Sequence, residues 1–208
     1  MHRKFKLVDE TLYLTINLID RFLKVDVIER KNFQLLGVTC MLIASKYEEI
    51  YAPEIRDFVY VTDKAYNREN IMKMESRVLS KLKFDIQSVS PFRLLECIVF
   101  MCGDNRKLFN LSQFILELSL VEYTMWKYIP SVKACASVFI ARKILKLLPT
   151  WPKNLVNTWD YTEVSLRMCL KDLCCIIDMS SKCSLKGVRN KFSSVEYDEV
   201  SKLPIFNN

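Results

Sequence analysis

Apolar and polar positions follow a helical period along almost the whole chain. Leu12, Ile16, Ile19 and Leu23 recur at spacings of three and four. That row predicts an amphipathic helix with Asp9 placed to cap its start. The next segment, about 32–48, is different. From Phe33 to Met41 it is apolar on nearly every face, so this helix is expected inside a bundle. Gly37 and Ala44 lie seven apart on one side of it, where small residues let a neighbouring helix come close. The helix runs into Leu42-Ile43-Ala44-Ser45-Lys46-Tyr47-Glu48-Glu49-Ile50-Tyr51-Ala52-Pro53-Glu54, a compact charged cluster closed by a proline. The charged end of a buried helix must emerge at the bundle surface, rigidly held. Such a cluster suits docking better than solubility alone. It holds no nucleophile, histidine or glycine loop for catalysis.

Pro53 to Tyr60 reads as a short helix. Asn67 is expected to cap another that turns Ile71, Met74, Val78, Leu79 and Leu82 inward, and Phe84-Asp85-Ile86 ends a first unit. Ser90-Pro91 opens a second series with cap and first-turn chemistry. Its helices are expected at about 91–102, 110–126, 130–148 and 162–179, with Pro149 and Pro152 separating the last two. Beyond about 182 the periodicity fades into a tail ending Lys202-Leu203-Pro204-Ile205-Phe206.

The halves echo each other. Asn17-Leu18-Ile19-Asp20-Arg21-Phe22-Leu23 is similar to Ser119-Leu120-Val121-Glu122-Tyr123-Thr124-Met125. Ile43-Ala44-Ser45-Lys46 parallels Ile140-Ala141-Arg142-Lys143, and Tyr66-Asn67-Arg68-Glu69 parallels Tyr161-Thr162-Glu163-Val164. The matches keep their order, which points to a tandem duplication of one helical unit. Glu75 then aligns with Leu170, so the first copy carries a charge that the second does without.

Composition narrows the classes. Half of the 208 residues are apolar, with only three glycines and six prolines. Sheets need turns, and turns need those residues, so the fold class is all-α. Phosphate-cradling glycine loops are missing. His2 is the only histidine, which leaves no imidazole for an acid–base pair, a Ser-His-Asp triad or a zinc site except at the first residues of the chain. The eight cysteines form no C-x-x-C and mostly lie in apolar helical runs, where they read as small core residues of a reducing compartment. No cofactor or metal is expected. No apolar window reaches membrane-spanning length, and no signal peptide opens the chain. The net charge of +7 is spread among acids. Its largest local source is Lys182, Lys186, Arg189 and Lys191, without the clustering that nucleic-acid binding predicts.

These residues resemble the cyclin box along almost the whole chain. Asp20-Arg21-Phe22-Leu23, Lys46 through Glu54, Phe58-Val59-Tyr60-Val61-Thr62-Asp63, and Met74-Glu75 through Phe84-Asp85 are similar to the first cyclin fold of mitotic, B-type cyclins. Leu120-Val121-Glu122-Tyr123 and Val188-Arg189-Asn190-Lys191-Phe192 look B-type in the second. The resemblance implies two tandem cyclin-fold bundles, 1–87 and 88–182, followed by a tail at 183–208. It implies a non-catalytic subunit that binds and activates a mitotic cyclin-dependent kinase as a heterodimer, at the G2/M transition, in nucleus and cytoplasm. By the same resemblance Lys46 and Glu75 are the polar pair that meets the kinase αC region. Tyr47, Glu48 and Glu49 continue that face, and Leu79, Phe84 and Ile86 add apolar contact. Gln34 and Phe33 are what remains of a substrate-docking patch, with Phe33 in place of the usual leucine. A cyclin box normally opens with a long helix upstream of the His2 to Leu7 segment. Without it the patch is expected to be incomplete, the first bundle to lack a core helix, and Asp20 to lack its arginine partner. The alternative is a transcription-factor-like adaptor of the same fold that binds nucleic acid, which the dispersed charge disfavours. An α-helical enzyme is disfavoured by the missing imidazoles and phosphate loops.

Overall fold

The computed structural model describes residues 1–103 and 105–206, Phe206 by its backbone alone; the last two residues of the expected tail lie outside them. Helices and 3₁₀ turns make up the regular structure, with no strand among the described residues. The chain divides into two units, Met1–Ser90 and Pro91–Asn208.

The first unit comprises α1 (His2–Phe5), α2 (Asp9–Val25), α3 (Phe33–Glu48), α4 (Ile55–Val61) and α5 (Arg68–Lys81). Helix α3 is central, packed by α2 and α5. Its residues from Val38 to Ser45 are all buried, as an all-round apolar helix requires. Asn67 caps α5 and shares a capping box with Asn70. That cap sets the phase by which Ile71, Met74, Val78 and Leu82 face the core. Leu79 is half-buried at the core's margin.

Two packing expectations for this unit are corrected. The buried row of α2 is Leu14, Leu18 and Phe22, while Leu12, Ile16 and Ile19 flank it and Leu23 is exposed. Threonines share the core side: the Thr15 hydroxyl donates to the Thr11 carbonyl at 2.6 Å, so a buried polar residue hides in an apolar row. A Cβ placed on Gly37 meets nothing within 4 Å, so no neighbouring helix exploits that glycine. Asp20 is half-buried and is not without a partner.

The second unit comprises α6 (Pro91–Met101), α7 (Arg106–Leu120), α8 (Pro130–Ile144), α9 (Lys153–Trp159), α10 (Glu163–Ser180) and α11 (Gly187–Lys191). Helix α7 is buried from Asn110 to Ser119 and packs on α6, α8 and α10. Helix α8 ends at Ile144, four residues early, where Lys146 turns left-handed (φ 54°) and the N–H groups of Lys146 and Leu147 donate back to the carbonyls of Lys143 and Arg142 at 3.2 and 3.0 Å. The Arg142 guanidinium donates to the carbonyls of Pro149 and Thr150 at 2.9 and 3.1 Å. Helix α7 starts at an Asn105 cap and stops at Leu120; the chain then forms a 3₁₀ turn, Tyr123–Lys127. One of the three internal matches therefore fails in structure: Asn17 to Leu23 lies within α2, whereas Ser119 to Met125 runs off the end of α7. Ser90 adds no side-chain cap to α6, its hydroxyl being buried without a hydrogen-bond partner.

The segment expected as a tail folds onto this unit. Phe192 is fully buried against Phe114 and Tyr197. The Lys191 ammonium meets the Glu117 carboxylate at 2.6 Å, with both side chains buried. None of the described helices is long and apolar enough to cross a membrane.

The cysteines divide more evenly than their apolar surroundings suggest. Cys40, Cys135 and Cys169 are buried, Cys102 is half-buried, and Cys97, Cys174, Cys175 and Cys183 are exposed. Burial pushes the thiols of Cys40, Cys135 and Cys169 up to about 12. The thiolate is the reactive form. Mass spectrometry after brief alkylation of the folded chain is expected to find adducts on the exposed four, with the buried three modified only in denaturant.

Candidate partner-binding face

Lys46 lies in the last turn of α3, where the buried helix reaches the surface. Glu75 lies on α5, on the flank of the face that buries Met74 and Val78. The fold brings the two together: Lys46 Nζ is 2.7 Å from Glu75 Oε1, with the lysine side chain 48% exposed and the glutamate 16%. The pair is held by two helices anchored in one core, so neither group has far to move. An ammonium has three donors and a carboxylate several acceptor sites. One bond between them leaves both with capacity for a third party.

The rest of the charged run takes two directions. Tyr47 and Glu48 are exposed. Glu49 turns inward and is half-buried. Its Oε1 accepts from the Val8 backbone N–H at 2.8 Å and the Thr11 hydroxyl at 2.6 Å. Helix α2 has Val8 at its N-cap, so Asp9 falls within the first turn and cannot fill the capping position. Glu49, 41 residues further along, supplies that carboxylate instead. It ties the end of α3 to the start of α2. Glu49→Ala is expected to cost about 1–2 kcal/mol of stability, the usual worth of a cap and a partly buried hydrogen bond. Glu49→Gln, which still accepts, should cost less, and urea melts of the two variants compare them.

At Glu49 the backbone leaves the helix in an extended conformation, then bends at Ile50 and Tyr51, which stand 90% and 93% exposed. Glu54 then caps α4 with Asp57 as its reciprocal partner. A cavity of about 690 Å3 opens beside this loop, lined by Lys46, Pro53, Arg56, Val59 and Arg68 among others. At the other edge, α5 ends in two consecutive left-handed residues, Lys83 (φ 54°) and Phe84 (φ 57°). Neither is glycine, and for a bulky residue such backbone is strained. Phe84 is driven outward and exposed. Arg21 fixes the segment: one terminal nitrogen donates to the Asp85 carbonyl at 2.7 Å and to its carboxylate at 2.6 Å. Ile86 and Leu79 are half-buried against the core.

Of the residues singled out from the sequence, Lys46 and Glu75 thus form a bonded pair. Tyr47, Glu48 and Phe84 are exposed, Leu79 and Ile86 are half-buried, and Glu49 serves as an internal brace. Ile50 and Tyr51 were not singled out. Their signal was two apolar side chains between a charged cluster and a proline, a place where no helix can bury them. Gln34 and Phe33, both exposed, begin α3 and lie about 18 Å along the helix axis from Lys46. The described residues contain no group of three His, Cys, Asp or Glu arranged to hold a metal. The face offers charge-assisted hydrogen bonds flanked by exposed aromatic and aliphatic groups, the chemistry of a protein interface.

Comparison with known proteins bears on both units. The profile for "Cyclin, N-terminal domain" matches residues 1–87, and that for "Cyclin, C-terminal domain" matches residues 89–205. Over 202 residues the chain is 39% identical to cyclin-B2-1 of Oryza sativa subsp. japonica, covering 97% of this chain and 48% of that protein. It is 38% identical to a G2/mitotic-specific cyclin of Glycine max, covering 98% and 79%. With G2/mitotic-specific cyclin-B of Dictyostelium discoideum the identity is 35%, covering 99% and 47%. The chain spans about half the length of most of these curated relatives. The fold is similar to that of a viral cyclin from herpesvirus saimiri, with a TM-score of 0.73 and 17% identity over 83% of this chain and 78% of the other. It is also similar to a chain in the CAK complex of Chaetomium thermophilum, with a TM-score of 0.64 and 19% identity over 98% and 65%.

Proposed function

The chain belongs to the cyclin family, and from that we propose that it is the non-catalytic regulatory subunit of a mitotic cyclin-dependent kinase, acting at the G2/M transition. The observation that carries this reading is the Lys46–Glu75 pair, held on two helices of one core and flanked by exposed Ile50, Tyr51 and Phe84. In a kinase the αC glutamate must pair with the β3 lysine before phosphoryl transfer, so seating that helix works as a switch. Lys46 donates to backbone carbonyls of the αC region and Glu75 accepts from its N–H groups. The exposed apolar residues cover the helix around them. A subunit activates by binding the active arrangement better than the inactive one. Turning a mostly inactive population into a mostly active one needs about 5.5 kcal/mol of differential binding. A pre-formed face supplies it without first spending energy on its own ordering.

On this reading Gln34 and Phe33 give kinase substrates a docking point, and the complex works in the nucleus and the cytoplasm. ATP and magnesium belong to the kinase. The nucleic-acid adaptor gains no support. Of the basic residues near the end, Lys186 and Arg189 donate to backbone carbonyls and Lys191 to a buried carboxylate, so they do not form one free basic face.

The test is co-expression with a mitotic-type cyclin-dependent kinase, followed by histone phosphorylation assays on the co-purified complex. Activity well above that of the kinase alone is expected. A kinase that neither co-purifies nor gains activity would overturn the reading.

A further inference from the structure

The duplication holds best where it was most local. Asn67 and Thr162 both cap their helices, each with a capping box. Counted from those caps, Ile71 and Leu166, Met74 and Cys169, Val78 and Leu173, and Leu82 and Ile177 are pairwise equivalent, and all are buried. On the central helices Ala44 and Ala141 are equivalent and fully buried. This register puts Lys143 in the place of Lys46, Leu170 in that of Glu75 and Cys174 in that of Leu79.

The counterpart of the first unit's partner face is an open groove of about 420 Å3 between α8 and α10, with Ile205 of the 3₁₀ turn Pro204–Phe206 also lining it. Buried Phe139, Ile140 and Ile177 floor it, and half-buried Leu170 and Ile144 wall it. Helix α10 contributes Glu163, Arg167, Leu170, Cys174 and Asp178, which follow one another at steps of three or four residues. That row is about 22 Å long. A groove edged by the i, i+4 row of a helix is the shape into which the ridge of another helix packs.

The charges differ from those of the first unit. Lys46 has Glu75 as its partner, but Lys143 has a leucine in that place. Among the described residues no ion pair or side-chain hydrogen bond engages Lys143, Arg167, Glu163 or Asp178, although all four line the groove. An apolar trough with two cations and two anions free along its rim is complementary to an amphipathic helix bearing both signs.

We propose that this groove is a second docking site, taking an amphipathic helix of a partner protein. Apolar residues at i, i+4 and i+7 of that helix lie along Leu170, Ile140 and Ile177. A carboxylate of the incoming helix meets Lys143, and a basic residue meets Asp178. The parallel with the first unit rests on the kinase-binding reading of that unit; the shape and charge of the groove do not.

The probe is a synthetic fifteen-residue amphipathic helix with leucines along one face, a glutamate placed for Lys143 and a lysine placed for Asp178. Its binding to the full chain is followed by fluorescence anisotropy. Leu170→Glu is expected to weaken binding about tenfold or more, with helical content unchanged. Lys143→Glu is expected to weaken it too, and a peptide with its glutamate changed to lysine should restore binding to that variant. Both variants should activate the kinase as the parent chain does, because neither residue lies on the first unit's face. Loss of kinase activation by the parent chain itself would sink the kinase reading and leave the peptide result standing. The docking proposal falls if the peptide does not bind the parent chain, or binds Leu170→Glu equally well. It also falls if sedimentation shows self-association that Leu170→Glu abolishes, since the occupant would then be a second copy.

Discussion

Replacing Lys191 with alanine is expected to destabilise the second unit by about 3–5 kcal/mol, the cost of leaving a buried carboxylate without its cation. Lys191 Nζ lies 2.6 Å from Glu117 Oε1, and the two side chains are 6% and 2% exposed. Gln113 donates to the same oxygen at 3.2 Å. The ammonium also stands 5.2 and 5.3 Å from the ring centroids of Phe192 and Tyr197. At this burial bulk solvent is a poor substitute for a lost partner. For a chain of this length the melting temperature should fall by roughly 6–20 °C. The double variant Glu117→Leu with Lys191→Met removes both charges and should recover most of the loss, because a well-packed apolar pair often equals or exceeds a buried ion pair. A Lys191→Ala chain melting within a degree or two of the parent would show that the pair contributes little.

Lys46→Ala and Glu75→Ala are each expected to lower kinase affinity by about 2–4 kcal/mol, or thirtyfold to a thousandfold. Each change removes one half of a charged pair and leaves the other facing the kinase without its neighbour. The effect on folding should be small, since the lysine is about half exposed and exposed pairs contribute little. Circular dichroism should therefore be unchanged while binding, measured by surface plasmon resonance against the isolated kinase, drops. Unaltered affinity in both variants would remove these residues from the interface.

What could be read from the residues depended on whether the cause was local. Helix α3 was legible because apolar residues all round admit one environment. Helix α5 was legible from a cap and a clean inward row. The inward row of α2 was misread because Thr11 and Thr15 take core positions, their hydroxyls engaged within the helix and with Glu49. Helix α9 escaped notice: it has seven residues, of which only Leu155 is buried, too few for a period. The tail misled because it reaches the core through Phe192 and a charged Lys191, and a lysine is seldom counted as core. Glu49 was singled out for its charge, but its partners stand 38 and 41 residues earlier, beyond any pattern of neighbouring positions.

Phe84 has a consequence for how this family member responds to selection. Its left-handed backbone holds an exposed ring in a conformation that glycine adopts freely. Glycine there relieves strain of about 1 kcal/mol and hides nothing that was buried. A library screened for thermal tolerance alone should therefore enrich glycine at this position. If the ring belongs to the kinase interface, those survivors will be sturdier and poorer activators. Stability and activation then pull on the same residue in opposite directions, so a phenylalanine kept here marks a compromise in which activation prevailed.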